Sequence, residues 1–188
     1  MTDQVSMQER RRELLRRRIA ASGAASAPTA PASAASTDLP QVRPGQRYGL
    51  SAGQRRMWFV QALDAADPVL NVCVAYRLTG ALDPERLRTA LTAVAARHTI
   101  LRTRYGVDDA GEPYQQFRDD AEIGWLTEDL IDIAESERDG RVAAAARAEF
   151  GRPFDLTAEP PLRAALLRTG ADRWVLLLTI HHICWDDD

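Results

Sequence analysis

The chain lacks lysine and is poor in cysteine and in aromatic residues. All 24 of its basic residues are arginine, which we attribute to the codon composition of a GC-rich genome. Cys73 and Cys184 lie far apart in the chain and belong to no Cys-x-x-Cys motif, which excludes a disulfide framework and a cysteine-rich metal site. Because only 6% of the residues are aromatic, the core must consist mainly of leucine, valine, isoleucine and alanine.

Long hydrophobic runs and a strong charge of one sign are also missing. The longest apolar stretch, Trp174–Ile180, is much shorter than the roughly 18 residues of a membrane span. No apolar run follows the N-terminal arginines, so the pattern of a secretory signal is absent. The formal net charge of −3 creates no overall field for nucleic acid. We therefore expect a cytoplasmic protein that binds neither membrane nor nucleic acid.

Composition divides the chain into three segments. Residues 1–20 are rich in arginine, with apolar side chains at helical spacing, and predict a short amphipathic helix that docks another protein. A solvated tail without a partner is the alternative for this segment. Residues 21–47 are mostly alanine, serine and proline and predict a flexible linker. Residues 48–188 then form the globular part.

Hydrophobic periodicity predicts helices and strands in alternation within the globular part. This order indicates an α/β or α+β sandwich in which helices pack on a mixed sheet. Asp83 and Pro84 predict a helix start, with one buried face formed by Leu87, Leu91, Val94 and Ala95. The other predicted helices are Leu50–Leu63 and Ser136–Phe150, and the predicted strands are Val69–Leu78, Ile100–Tyr105, Pro113–Phe117, Leu162–Arg168 and Trp174–His181.

Two adjacent histidines, His181 and His182, follow the most apolar strand, and Asp186 lies four residues beyond them. The pKa of imidazole suits proton transfer at neutral pH, and the aspartate can orient a ring or pair with an arginine. The competing interpretation is a pair of core histidines without chemistry. A metal site is a weaker alternative, because adjacent strand residues point to opposite faces.

Three segments in order resemble the core motifs of condensation domains from nonribosomal peptide synthetases. Leu50–Trp58 resembles the first motif, Ser-x-Ala-Gln-x-Arg-Met-Trp, and Arg97–Tyr105 resembles the second, Arg-His-Glu-x-Leu-Arg-Thr-x-Phe. Residues 181–187 resemble the third, His-His-x-x-x-Asp-Gly, with Asp187 in the glycine position. Phe154-Asp155-Leu156 and Pro161-Leu162-Arg163 are similar to the stretch that links the second motif to the third.

The resemblance implies a chloramphenicol acetyltransferase-like lobe, one of two that enclose a tunnel. It implies an acyltransferase of antibiotic and other secondary metabolism that joins a donor thioester to an acceptor amine. The chain would bind no cofactor itself, since both substrates arrive on 4'-phosphopantetheine arms of an upstream and a downstream carrier protein. His182 would be the catalytic residue, and His181, Asp186, Arg97 and Arg102 would support it. Arg97 can instead be an exposed cation at a helix end.

The chain stops at Asp188, directly after the third motif, so we expect the second lobe to be missing and the fragment alone to be inactive. Two other functions compete with amide formation by a synthetase. One is a free-standing acyltransferase of the same superfamily that uses a coenzyme A thioester. The other is a non-catalytic domain that recruits tailoring enzymes, although the intact His181, His182 and Asp186 favour catalysis.

Overall fold

The computed structural model describes residues 42–120 and 122–185, which form two sheets and three helices. The predicted helix 1–20, the linker as far as residue 41, and Asp186, Asp187 and Asp188 lie outside this range. The helices are α1 (Ala52–Leu63), α2 (Pro84–Arg97) and α3 (Glu135–Gly151). The strands are β1 (Tyr48–Gly49), β2 (Asn71–Thr79), β3 (Thr103–Val107), β4 (Pro113–Phe117), β5 (Gly124–Asp129), β6 (Leu162–Gly170) and β7 (Arg173–His181).

The larger sheet has the strand order β2-β7-β6-β5 and is mixed, because β5 and β6 are parallel while the other pairs are antiparallel. Its central strands β6 and β7 are buried on both faces, which explains their nearly continuous runs of leucine, valine and alanine. This arrangement confirms the predicted α/β class with a mixed sheet packed by helices.

Alternate side chains of β6 and β7 form two separate cores, one on each face of the larger sheet. On one face Leu167 and Leu177 pack with Ala145 of α3. On the other face Leu166 and Leu176 pack with Leu91 of α2. The helices therefore hold β7 from both sides and fix the direction in which its C-terminal end, His181, leaves the sheet.

The smaller sheet is antiparallel, with the order β1-β4-β3. Residues 42–47, the end of the predicted linker, lie against it: the amide of Gly45 donates to the carbonyl of Phe117 at 3.1 Å. The guanidinium of Arg47 lies 4.3 Å from the centre of the Tyr114 ring. Exposed residues before Tyr48 therefore contact the smaller sheet, while the boundary at Tyr48 remains a prediction.

Ser51 precedes helix α1 and forms a reciprocal cap with Gln54. The Ser51 hydroxyl accepts from the amide of Gln54 at 3.2 Å, and the Gln54 side chain accepts from the amide of Ser51 at 2.9 Å. This satisfies two amides that the first turn of a helix otherwise leaves unpaired. Asp83 caps α2 in the predicted way, accepting from the amides of Glu85 and Arg86.

Two predictions about local structure are wrong, and one strand was missed. Residues Thr99–Arg102 form a 3₁₀ helix, so the predicted strand from Ile100 begins only at Thr103. Val94 is 46% exposed and lies outside the buried face of α2, which is narrower than predicted. Strand β5 was not predicted, because it is largely exposed and shows no alternation of apolar and polar residues.

Candidate active site

The His-His segment forms a tight turn at the C-terminal end of β7. The strand ends at His181, and His182–Cys184 form a single 3₁₀ turn. Nδ1 of His181 lies 3.1 Å from the backbone nitrogen of Ile183 and accepts its N–H. Because Nδ1 is an acceptor, the ring proton of neutral His181 must lie on Nε2. The His181 ring therefore caps the turn that follows it.

His181 is completely buried, and its environment keeps it neutral. Its Nε2–H points at Oε1 of Gln61, 3.1 Å away, and the edge of the ring meets Phe154 at a centroid distance of 5.9 Å. Burial, followed by electrostatic interaction with His182 and with Arg163, lowers the pKa of His181 to about 4. At neutral pH His181 is thus a structural hydrogen-bonding group.

His182 is half-buried and has a different arrangement. Its Nδ1 lies 2.6 Å from the backbone carbonyl oxygen of Trp185. A carbonyl oxygen only accepts, so Nδ1 of His182 must donate its proton to Trp185. Nε2 of the neutral ring is then left with a free lone pair. The two histidines therefore hold opposite tautomers, and only His182 presents a basic nitrogen that no hydrogen bond within the described residues uses.

The turn geometry disfavours a metal site formed by the two histidines. Both ring nitrogens of His181 are engaged by protein groups, so His181 has no lone pair left for an ion. Across residues 42–120 and 122–185, no group of three or more His, Cys, Asp or Glu side chains is arranged to hold a metal. What this segment offers is one imidazole, that of His182, with a ring nitrogen that no described group engages.

Cys184 lies two residues after His182 but is not a nucleophile. Its thiol donates to the carbonyl of His181 at 3.2 Å, and the carbonyl of Pro161 lies 3.7 Å away. Burial raises the pKa of the Cys184 thiol to about 12, so the thiolate is scarce at neutral pH. The cysteine contributes packing to the turn.

Helix α1 carries the first sequence motif and packs directly on this turn. Met57 and Trp58 contact the core cluster that contains Ile183. Gln61 follows Gln54 by two helical turns, so both lie on the same side of the helix. Gln54 donates to Gln115 of β4 at 3.0 Å. The first motif thus connects the smaller sheet to the His-His turn.

Arg163 of β6 is a buried cation next to the site, with 2% of its side chain exposed. Its guanidinium lies 3.8 Å from the centre of the Phe154 ring and donates to the carbonyl of Arg152 at 2.7 Å. It also donates at 3.2 Å to the carbonyls of Glu149 and Pro153, where α3 ends. Arg163 therefore fixes Phe154, which in turn packs on His181.

The two arginines of the second motif occupy different environments. The guanidinium of Arg102 is held by Asp119 and by the carbonyls of Arg118 (3.1 Å) and Ala96 (3.2 Å), and it is mostly buried. Arg97 is exposed at the C-terminal end of α2 and forms no ion pair within the described residues. Because Asp186 lies outside that range, a pairing of Asp186 with either arginine remains a prediction.

Sequence reasoning missed two side chains that shape the site. Gln61 carried no signal, since a glutamine in an amphipathic helix is usually exposed, whereas here it is 8% exposed. The signal that could have found it is its spacing of seven residues from Gln54. Arg163 lies in the Pro161-Leu162-Arg163 segment, but nothing in the sequence indicates that its side chain is buried next to the histidines.

The Condensation domain model matches residues 45–187 of the chain. A probable nonribosomal peptide synthetase, CymA of Salinispora arenicola, is 44% identical over 147 residues, 78% of this chain. The dimodular nonribosomal peptide synthase of Bacillus subtilis is 40% identical over 141 residues, 75% of this chain. The chain spans only 2% and 6% of the lengths of these two relatives.

Solved structures agree with this match. The starter condensation domain of rhizomide synthetase RzmA superposes with a TM-score of 0.65 at 27% identity. The superposition covers 73% of this chain and 33% of the rhizomide domain's chain. The family model extends over more than half of the chain, and the fold and the order of the motifs agree with it. The chain therefore belongs to the condensation domain family of nonribosomal peptide synthetases.

Proposed function

We propose that this chain takes part in forming amide bonds between two carrier-bound substrates, with His182 as the group that contacts the attacking amine. The observation that carries the proposal is the contact between Nδ1 of His182 and the carbonyl oxygen of Trp185. The Nδ1–H of His182 is committed to the carbonyl of Trp185 at 2.6 Å, which leaves Nε2 as an acceptor. An acceptor at the end of a rigid strand, in a member of the condensation domain family, suits an incoming N–H group.

Nε2 of His182 is the only proton-accepting group that the reaction requires. The acceptor's amine nitrogen attacks the donor's thioester carbonyl, a C–N bond forms, and the C–S bond breaks. The proton lost by the amine passes by way of Nε2 of His182 to the departing thiolate. An α-amine has a pKa of about 8, so roughly a tenth of it is neutral at pH 7. His182 need only orient this neutral form and accept its proton.

The fixed tautomer supports positioning as the larger part of this role. Because Nδ1 is tied to Trp185, the His182 ring cannot exchange its nitrogens without losing that hydrogen bond. Holding a reacting amine in one geometry replaces a bimolecular encounter with an oriented one. The neutral, buried His181 supports the backbone of the same turn.

The partners of this function are an upstream donor carrier and a downstream acceptor carrier, each presenting its substrate on a 4'-phosphopantetheine arm. The relatives are synthetases, which supports this assignment. We assign residues 1–20 as the docking element for an upstream subunit and expect a second lobe to complete the tunnel. Asp186 is proposed to pair with Arg97 or Arg102. None of the helices in the described ranges has the length and apolar composition that a bilayer crossing requires.

The test uses the longer synthetase chain that contains these residues together with its second lobe. Donor and acceptor aminoacyl carriers are supplied, and dipeptidyl carrier is measured by intact-protein mass spectrometry. The wild type should form dipeptide, and His182→Ala should reduce its rate by about a hundredfold or more. His98→Ala, a change at an exposed histidine after α2, serves as the matched control and should leave the rate unchanged. Absence of dipeptide from a folded wild type across several donor–acceptor pairs would favour the recruitment function.

A further inference from the structure

The side chain of Gln61 is held in one orientation. Its amide nitrogen lies 3.4 Å from the carbonyls of Ala65 and Phe154, so it is the donor toward both. The opposite atom, Oε1, therefore faces Nε2 of His181 at 3.1 Å. Only 8% of Gln61 is exposed, so water does not substitute easily for this acceptor.

This orientation selects one tautomer of His181. With the proton on Nε2, His181 donates to Gln61 and accepts from the N–H of Ile183, and both contacts are hydrogen bonds. With the proton on Nδ1, two N–H groups would face each other at Ile183, and two acceptors would face each other at Gln61. Both arrangements are unfavourable in a buried site, because each leaves polar groups without hydrogen-bond partners.

We infer that Gln61 is a positioning residue for His182, acting through the tautomer of His181. Gln61 favours the Nε2–H tautomer of His181, which leaves Nδ1 free to accept the N–H of Ile183. This hydrogen bond closes the His182–Cys184 turn. The turn in turn places the His182 ring and its bond to Trp185. The catalytic half of this inference rests on the proposed function, whereas the tautomer can be measured without it.

The charges around His181 give the inference a pH signature. The charged or titratable groups that face the ring are His182 on the following turn and Arg163 on β6, and both disfavour its protonation. Among residues 42–120 and 122–185, no carboxylate contributes to the pKa shift of His181. Gln61→Glu would add one at the acceptor position and would raise the pKa of His181. Protonation of Nδ1 would then displace the N–H of Ile183 and open the turn.

Two substitutions separate these steps. Gln61→Met keeps the length of the side chain and removes both the acceptor for His181 and the donor to the carbonyls of Ala65 and Phe154. Gln61→Glu keeps an acceptor for His181 at pH 8, and the His181 ring becomes protonated as the pH falls. Gln116→Met is the matched control, because Gln116 also donates to a backbone carbonyl, that of Gly45, but lies on the smaller sheet.

The first measurement is nitrogen-15 NMR of the histidine rings in the 188-residue chain, which reports tautomer and protonation directly. We expect His181 to be Nε2–H in the wild type and in the Gln116→Met control. Gln61→Met should shift His181 toward the Nδ1–H form and move the His182 signals, and Gln61→Glu should protonate His181 at a higher pH than the wild type does. A wild-type Nδ1–H tautomer, or unchanged rings in Gln61→Met, would overturn the inference.

The second measurement is dipeptide formation by the longer synthetase chain. Gln61→Met should lower kcat ten- to a hundredfold with little change in KM, since positioning and not binding is lost. Gln61→Glu should keep most of the activity at pH 8 and lose it by pH 6. Full activity of Gln61→Met despite an altered tautomer would refute the positioning role. If the wild type forms no dipeptide while the rings respond as expected, the proposed function fails and the control of the turn by Gln61 stands.

Discussion

Replacing Arg163 with methionine should lower the free energy of unfolding of this chain by about 3–5 kcal/mol, the usual cost of removing one partner of a buried charge network. The guanidinium is almost fully buried, with 2% exposed. It donates to the carbonyl of Glu149, in the last turn of α3, and to the carbonyls of Arg152 and Pro153, which follow the helix. Methionine fills much of the space of the arginine stem, so the change removes hydrogen bonds more than packing.

The expected loss of stability follows from the interactions that the Arg163 guanidinium makes in the folded chain. Hydrogen bonds from a charged donor contribute roughly 1.5–3 kcal/mol each, and a desolvated cation over an aromatic ring contributes about 2 kcal/mol. Arg163 forms three such hydrogen bonds and one cation–π contact, with Phe154 at 3.8 Å. The cost of burying the arginine offsets much of this sum, because removing the cation also removes its desolvation penalty. A net loss of about 3–5 kcal/mol remains.

The assay is equilibrium unfolding in denaturant, with two comparison variants. Arg163→Lys keeps the charge but loses the planar fork, so it should fall between the wild type and Arg163→Met. Arg86→Met removes an exposed cation, 89% accessible, that pairs with Asp83 at 3.3 Å, and should change stability by less than about 1 kcal/mol. If Arg163→Met unfolds within about 1 kcal/mol of the wild type, the network of carbonyls does not stabilise the fold.

Two further predictions use the same unfolding measurement. The pKa of His181 is about 4 in the folded chain and near 6.5 in the unfolded chain. The contribution of His181 to the free energy of unfolding is therefore complete above pH 6.5, and about 3 kcal/mol of it is lost as the pH falls to 4 and below. His181→Asn, which keeps an acceptor for the neighbouring amide, should flatten that part of the curve; a curve of unchanged slope would contradict the burial argument. Gly124→Ala should destabilise by about 1–3 kcal/mol, since the new Cβ would lie 3.2 Å from Cγ of the immobile Arg163. Gly140→Ala, in α3 with open space around it, should stabilise by about 0.5–1 kcal/mol, and effects of the same sign at both glycines would refute the contact argument.

The parts of the fold that sequence reasoning predicted correctly are those with local signals. The β6–β7 hairpin has two long apolar runs separated by Thr169-Gly170-Ala171-Asp172, and both runs are strands in the structure. Helix α2 has an aspartate cap and a proline at its first position, and it begins where they predict. In such segments the information lies within a few residues, so neighbouring elements need not be known.

The parts that escaped prediction depend on distant residues. Strand β5 exists because it pairs in parallel with β6, whose sequence position lies beyond the whole of α3. Arg102 was expected to support the site, but the sequence did not indicate its partners within the described residues, which are Asp119 and the carbonyls of Arg118 and Ala96. Gln61 and His181 are likewise brought together only by tertiary packing. The residues of the candidate site were recognised by motif, whereas their hydrogen-bond partners required the structure.

The pairing of β2 with β7 has a consequence for the order in which this molecule folds. Residue 71 pairs with residue 181, whereas β6 and β7 meet across a turn of two residues. Closing a long loop costs more chain entropy than closing a short one, and folds rich in distant pairings form slowly. On the ribosome, β2 must wait until nearly the whole described chain has emerged before β7 reaches it. His181 and His182 stand at the end of that last strand, so the site cannot take shape in a partly folded chain.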